Sequence, residues 1–516
     1  MEVESDRTKP IAVFMAFGTK GDVYPIAAIA AAFASDQTQY QVVLITHSAH
    51  QSLRCHLAEK HVSYVPISSP PVLTVNQKHE TVSVELPLSL QKQLFSGEHR
   101  KECLSVVETI FGSGSSMDGD FIVINFFALE GWSLAELFRV RCMVAAPYVV
   151  PYSAPSSFER HFKKEYQQLY KYLQESHLNK ICWEDVIHWM WPLFTEHWGS
   201  WRCDDLNLSH CPFTDPVTGL PTWHDRSLSP RLLYGFSKEV VECPDYWPLS
   251  IRVCGFWFLP TEWQFSCKKC SEISRLVSSR NLYTNDEMCP AHVHLQYFLK
   301  TPMPMPPVFI GLNSIGSMGF LKNPQAFLRL LQTVLQITSY RFILCTAGHE
   351  PLDAAIRAIA ANSSLHITHK QINDDCVSLF ENRLFCFSGS VPYTWLFSGC
   401  SAVIHHGGSG TTAAGLLAGI PQVLCPFMLD QFYWAERMFW LGVAPEPLKR
   451  SHLLPEESDD ESIEEAANFL ARVIHDALSP EIRQRAVEIS KRISLEDGVS
   501  NAVRYIKEEV GCSSSV

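Results

Sequence analysis

No stretch of about 18 uncharged apolar residues occurs in this chain, so the sequence offers no membrane-spanning helix. Its opening residues, MEVESDRTKP, start acidic and lack the basic-then-apolar order of a secretory signal. A basic excess is missing too. Lys and Arg number 42 against 54 Asp and Glu, a net charge of -12, which argues against nucleic acid or an anionic membrane as the main partner. There is no Gly-Lys-Ser/Thr of a P-loop and no Gly-x-Gly-x-x-Gly run. Cysteine is not scarce: there are 17, scattered, several in apolar runs (Cys142, Cys345, Cys386, Cys425). That pattern fits reduced, buried thiols in a cytoplasmic protein better than a disulfide framework.

What is present is alternation. A chain of 516 residues, 46% hydrophobic, has room for two or three domains. Near the N-terminus IAVFMAF (11–17) reads as a buried strand, GTKGD as a loop, and VYPIAAIAAAFAS as a helix with Asp22 as its N-cap and Pro25 in its first turn. YQVVLITH, VSYVPI, FIVIN and CMVAAPY continue the strand series, with helical segments between them. A second series begins near Pro306 with PPVFIGLNS and runs through RFILCTAG, LFCFSG, AVIHHGG and QVLCPF. Strands spaced by helices imply parallel sheets covered on both faces. The expected fold class is therefore α/β, with two Rossmann-like, doubly wound domains facing across a cleft. The boundaries expected are 1–260, a linker or insertion at 261–305, and 306–516 including the C-terminal helices. The middle is less regular and holds WEDVIHWMWPLFTEHWGSW (183–201). Its tryptophans either pack a helical hairpin onto the N-terminal sheet, the favoured reading, or line an apolar pocket or membrane-facing surface.

The stretch HHGGSGTTAAG (405–415) carries the strongest chemical signal. A strand, a glycine turn and a helix start make an anion site, because N–H groups at a helix N-terminus point at the ligand and the helix dipole favours negative charge. Gly407, Gly408 and Gly410 admit close approach, Ser409, Thr411 and Thr412 add hydroxyls, and a strand-end histidine adds a donor. The plainer alternative is a tight strand–helix turn. Asp118-x-Asp120 reads as a polar turn. Cys267-x-x-Cys270 followed by Cys289-x-x-His292 has the spacing of a structural zinc site, with His294 close by; the alternative is a loop with bystander thiols.

These residues carry a resemblance. The run 395–448 looks like the nucleotide-sugar-binding segment of the GT-B UDP-glycosyltransferase superfamily, closest to the sterol 3-beta-glucosyltransferase group and its relatives among bacterial antibiotic glycosyltransferases. FGTKGDVYPIAAIAAAF (17–33) resembles the Gly-Ser/Thr-x-Gly-Asp-Val-x-Pro opening of that group's family-28-like N-terminal domain, and SPRLLYGFSKEVVECPDYWPLSIRVCGFWFL (229–259) the segment that closes it. The resemblance implies the GT-B fold, with an acceptor-side N-terminal domain and a donor-side C-terminal one. It implies inverting, metal-independent transfer of a hexose, glucose first, from a UDP-sugar to a hydroxyl of a sterol or other lipophilic acceptor, with no cofactor. Peripheral contact with a membrane follows from such an acceptor.

By the same resemblance Asp22 is the general base, and Gly18, Thr19 and Gly21 shape its loop, Gly18 and Thr19 also being expected to touch the sugar or diphosphate of the donor. His405, joined by His406, with Gly408, Ser409, Gly410 and Thr411, holds the diphosphate; the alternative for one of the two histidines is a packed strand-end residue. Asp430 and Gln431 hold sugar hydroxyls, and Ser314 touches the phosphates. The group's Gly-Phe-Gly-Ser loop reads Gly311-Leu312-Asn313-Ser314 here, so the functional pair either stays at Ser314 or slides to Gly316-Ser317. A sugar-nucleotide-binding protein with little transferase activity is the alternative function.

Overall fold

The computed structural model describes residues 7–511 except 72–87, 113–115, 153, 177–179, 196–197, 199, 210–213, 215–217, 219, 221–228, 246, 249, 266, 281–287, 313, 364–370 and 374–375. The chain forms two compact units. The first runs to Phe258 and takes in the C-terminal segment Asp497–Val516; the second holds Leu259–Glu496.

The first unit is built on seven strands: β1 (Ile11–Met15), β2 (Gln41–His47), β3 (Val62–Ile67), β4 (Phe121–Ile124), β5 (Arg141–Ala146), β6 (Arg231–Tyr234) and β7 (Ile251–Val253). Their order is β3-β2-β1-β4-β5-β6-β7, and every pairing is parallel. β1 and β4 are buried at every position, the apolar composition that a sheet covered on both faces requires. The chain leaves β1 toward β2 on one side and β4 toward β5 on the other, so the order reverses between β1 and β4.

The second unit repeats the plan with β8 (Val308–Gly311), β9 (Phe342–Cys345), β10 (Gln371–Asn373), β11 (Cys376–Leu379), β12 (Leu384–Phe387), β13 (Ala402–His405) and β14 (Gln422–Leu424). The order is β10-β11-β12-β9-β8-β13-β14, reversing between β8 and β13. β10, β11 and β12 pair antiparallel, an edge meander that the sequence reading did not anticipate. The remaining ladders are parallel, and β13 sets His405 opposite Gly311 of β8.

Three expectations change. Residues 261–305 are part of the second unit rather than a linker: Leu295 and Phe298 of helix Pro290–Lys300 join Phe309, Ile343 and Phe385 in one buried cluster. The last helix, Gly498–Val510, belongs with the first unit, not with 306–496, because its buried Ala502, Val503 and Ile506 find their partners there, against helix Lys20–Ser35. Its entry is fixed by the Trp257 indole donating to Gly498 C=O (3.1 Å) and by the Asn501 amide donating to Cys254 C=O (2.9 Å). The tryptophan-rich stretch is core, as favoured, but as one-turn π and 3₁₀ segments instead of a helical hairpin. Trp189, Trp198 and Trp201 are buried, Trp189 meets Trp132 edge-on, and the Arg100 guanidinium lies 3.8 Å over the Trp198 ring. Asp120 closes its turn as expected, accepting from Ile11 N–H (2.6 Å) and Met117 N–H (2.8 Å).

A methyl group added at Gly498 would stand 2.3 Å from Phe256 O. Gly498→Ala must therefore push the last helix off the first unit. The expected cost is about 1–3 kcal/mol, checked as a fall in the urea midpoint.

Candidate active site

Both points of strand reversal carry the residues singled out from the sequence. In open α/β sheets the crevice at such a point, beyond the carboxyl ends of the strands, is where ligands bind.

In the first unit, the loop from Phe17 to Asp22 leaves β1. The helix that follows spans Lys20–Ser35, so Thr19, not Asp22, is its N-cap. Asp22 is the third helical residue and closes the cap from inside. Its Oδ2 accepts from Thr19 N–H (2.7 Å) and from Thr19 Oγ1 (2.8 Å), the arrangement of a capping box. The helix starts one turn earlier than expected, with Asp22 holding the N-cap N–H of Thr19, which also moves Pro25 out of the first turn. Gly18 has φ +104°, and a Cβ there would stand 2.6 Å from Asp22 Oδ2. Burial pushes the Asp22 carboxyl up to about 6, against the lowering pull of the two Thr19 bonds.

Asn125, at the end of β4, ties the loop down. Phe17 N–H donates to its Oδ1 (3.2 Å), and its amide donates to Phe17 C=O (2.8 Å) and Asp22 C=O (3.3 Å). The sequence reading passed over it; the available signal was a polar residue ending the apolar run FIVIN. His50 was also missed. Its Nε2–H donates to Gly18 C=O (3.0 Å), and its ring lies beside His47, while Phe17 packs against His47 and His99. Burial and the neighbouring histidines push His47 down to about 4.

In the second unit, β13 ends at His405 and the helix Ser409–Ala418 begins with Gly408 as N-cap. His405 is completely buried with both ring nitrogens occupied: Gly407 N–H donates to Nδ1 (3.1 Å), and Nε2 lies 2.8 Å from Gln422 Oε1. The acceptor role of Nδ1 puts the proton on Nε2, the neutral form, and burial pushes the ring down to about 3. Gln422 is oriented in turn by its amide donating to Thr412 C=O (3.2 Å). His405 is therefore a packed strand-end residue, the alternative left open for one of the pair. His406 differs: its Nδ1 is buried and has no hydrogen-bond partner among the described residues.

Gly407 has φ +86°, and a Cβ there would meet Gln431 O at 3.0 Å, so this turn lies against the start of helix Gln431–Leu441. Gly415 is small because Gln422 occupies its side: a Cβ would stand 2.8 Å from Gln422 Cδ. The helical ladder opens with Thr412 N–H to Gly408 C=O (3.0 Å), leaving the amides of Ser409, Gly410 and Thr411 at the helix end. Thr412 Oγ1 donates to Gly408 C=O (3.0 Å), so that hydroxyl's proton is committed to the helix backbone.

Asp430 is the N-cap of the next helix, and its Oδ2 accepts from the Trp434 indole (2.9 Å). Gln431 Oε1 accepts from Phe427 N–H (2.9 Å) and Met428 N–H (3.2 Å), so its oxygen is committed to the loop before the helix. Ser314 begins a short helix, Ser314–Ser317, directly after β8; its side chain, that of Ser317 and all of Asn313 lie outside the described residues. His349 stands against Gly316, 3.2 Å from where a Cβ would be, a neighbour that no sequence motif announced.

Known proteins carry the same plan. Over 98% of this chain and 100% of its counterpart, the fold matches the calicheamicin glycosyltransferase CalG4 with a TM-score of 0.55 at 15% identity. That likeness defines the class: this is a GT-B fold. Residues 361–489 match the family model described as "Erythromycin biosynthesis protein CIII-like, C-terminal domain". A sterol 3-beta-glucosyltransferase of Arabidopsis thaliana is 28% identical over 62% of this chain and 40% of its own length. Another, of Vanderwaltozyma polyspora, is 23% identical over 96% of this chain and 34% of its own. The chain thus spans less than half the length of these relatives. On a GT-B fold, the chain is thus similar to sterol glucosyltransferases over part of their length.

The two histidines should separate in a stability assay. His405→Ala strands Gln422 Oε1 and Gly407 N–H in the core and is expected to cost about 1–3 kcal/mol in urea unfolding. His406→Ala has no Nδ1 bond to lose and should move the midpoint less.

Proposed function

We propose that this chain transfers a hexose, glucose first, from a UDP-sugar to the hydroxyl of a sterol or another lipophilic acceptor. The observation that carries the reading is the turn after β13. There His406 with an unbonded buried nitrogen, Gly407 at positive φ and the N-terminal end of helix Ser409–Ala418 stand together beside Gln431. A diphosphate suits that set, since backbone amides, a helix dipole and a neutral imidazole N–H are all donors to anionic oxygens. Gly408, Ser409, Gly410, Thr411 and His406 then hold the diphosphate, with Ser314 approaching from the loop after the neighbouring strand. Asp430 and the Gln431 amide hold the sugar.

Asp22 serves as the base. It takes the proton from the acceptor hydroxyl, the acceptor oxygen attacks C1 of the sugar, and UDP leaves from the opposite face. A carboxyl brought up to about 6 is a stronger base than an ordinary aspartate yet still ionised at neutral pH. The charge growing on the leaving diphosphate is met by preorganised amides, so this mechanism asks for no metal and no cofactor. The relatives named as sterol 3-beta-glucosyltransferases support the acceptor class. No helix among the described residues is long and apolar enough to cross a membrane. Phe432, Phe439 and Trp440, exposed at spacings that put them on one side of helix Gln431–Leu441, support peripheral contact with a lipid surface.

The first experiment pairs binding with turnover. UDP and UDP-glucose should raise the melting temperature of the purified protein, because a ligand that binds only the folded state stabilises it. Asp22→Asn should keep that shift while losing about a hundred- to ten-thousand-fold in turnover with sterol. Equal turnover in the variant overturns the role of Asp22. A UDP shift without turnover on any lipophilic alcohol favours the binding-protein reading instead.

The pH profile follows from the raised carboxyl. Asp22 must be ionised to act, so kcat/KM should be flat above about 6 and fall tenfold per pH unit below it, measured across a buffer series.

A further inference from the structure

The second unit contains a cluster that the transfer chemistry does not use. Cys267 and Cys270 sit at the start of helix Lys268–Arg280, and Cys289 and His292 at the start of helix Pro290–Lys300, where Cys289 is the N-cap. Their four donor atoms lie within 4.8 Å of one another. His292 Nδ1 is 3.4 Å from Cys267 Sγ, 3.5 Å from Cys270 Sγ and 3.1 Å from Cys289 Sγ. A tetrahedron with Zn–S near 2.3 Å and Zn–N near 2.0 Å has an S···N edge of about 3.5 Å, so one imidazole nitrogen facing three sulfurs at these distances has the shape of a ligand set.

The rest of the surroundings agree. All four cysteine and histidine side chains except the partly buried Cys267 are buried, and the cysteines are free thiols rather than a disulfide. Cys289 N–H donates to Cys270 Sγ (3.3 Å), the kind of bond that steadies a thiolate once a cation is present. Both pairs begin helices, whose dipoles favour negative charge on sulfur. The His292 ring is held between Phe265 and Phe387, with centroids 5.6 Å away on each side, and Phe387 ends β12 of the sheet. His294, also noted in the sequence, is not among the four.

We propose that Cys267, Cys270, Cys289 and His292 bind one structural zinc ion that clips the starts of two helices together and seats them on the second sheet. Three thiolates and an imidazole are soft and borderline donors, which select zinc over magnesium or calcium. A closed four-ligand set leaves no open position, so the ion's role is in folding rather than in transfer.

The test uses the full chain expressed with added zinc. Elemental analysis should find one zinc per chain. A strong chelator should lower the melting temperature, and zinc, but not magnesium, should restore it. Exchange of zinc for cobalt should give thiolate-to-cobalt charge-transfer bands and the intense visible bands of a tetrahedral ion. Because Cys270→Ser and Cys289→Ser could fail to fold, His292→Cys serves as the second variant. It keeps four ligands, so it should retain the metal while shifting the visible cobalt bands toward those of an all-thiolate site. Substoichiometric metal with no cobalt charge-transfer band, a disulfide among the three cysteines in non-reducing mass spectrometry, or His292→Cys spectra identical to the parent would each overturn the assignment.

Discussion

Where a parallel sheet reverses its strand order, two neighbouring crossovers leave toward opposite sides and open a gap above the strand ends. This constraint acts once in each unit here, between β1 and β4 and between β8 and β13. Backbone in such a gap is not used up by the sheet, and a helix starting there presents its first amides outward. The loop Phe17–Asp22 and the turn His406–Ser409 both sit in these gaps. The small residues around them follow from crowding: Gly18 clears the Asp22 carboxylate, Gly407 clears the backbone of Gln431, and Gly415 clears the side chain of Gln422.

Burial divides similar residues into different roles. His405 and His406 are adjacent and both are pushed well below the ordinary histidine range by loss of water. His405 is caught between Gly407 N–H and Gln422, so its chemistry is spent on the fold. His406 keeps a nitrogen uncommitted among the described residues. The same loss of water works in the opposite direction on Asp22, raising its carboxyl while Thr19 holds one oxygen. One physical effect thus makes a neutral imidazole in one unit and a strengthened base in the other.

Much of this was legible from residue order. Apolar runs such as IAVFM and FIVI read as buried strands, and the helical patterns between them implied parallel crossovers. The glycine turn after AVIH announced a close approach, and the two Cys/His pairs announced a possible ligand set by spacing. The antiparallel meander of β10–β12 was not read, since its strands are short, although Asn373-Asp-Asp and Glu381-Asn382 mark its turns. Nor was Asn125, whose importance comes from reaching across from β4 to hold Phe17 and Asp22. The Asp22 cap was misplaced by one turn because an aspartate before an apolar run serves equally well as N-cap or as the third residue of a capping box.

The sequence by itself determined the alternating α/β plan, the two doubly wound halves and the short list of residues able to do chemistry, because local periodicity and turn chemistry are written residue by residue. Only the tertiary structure decided that helix Gly498–Val510 returns to the first unit, that His405 is structural while His406 is uncommitted, and that four residues spread over 267–292 converge on one point. Each of these rests on contacts between segments distant in sequence or on which face of an element is buried. Burial and convergence are properties of the packed chain, and they set both the protonation of Asp22 and the geometry of the thiol cluster.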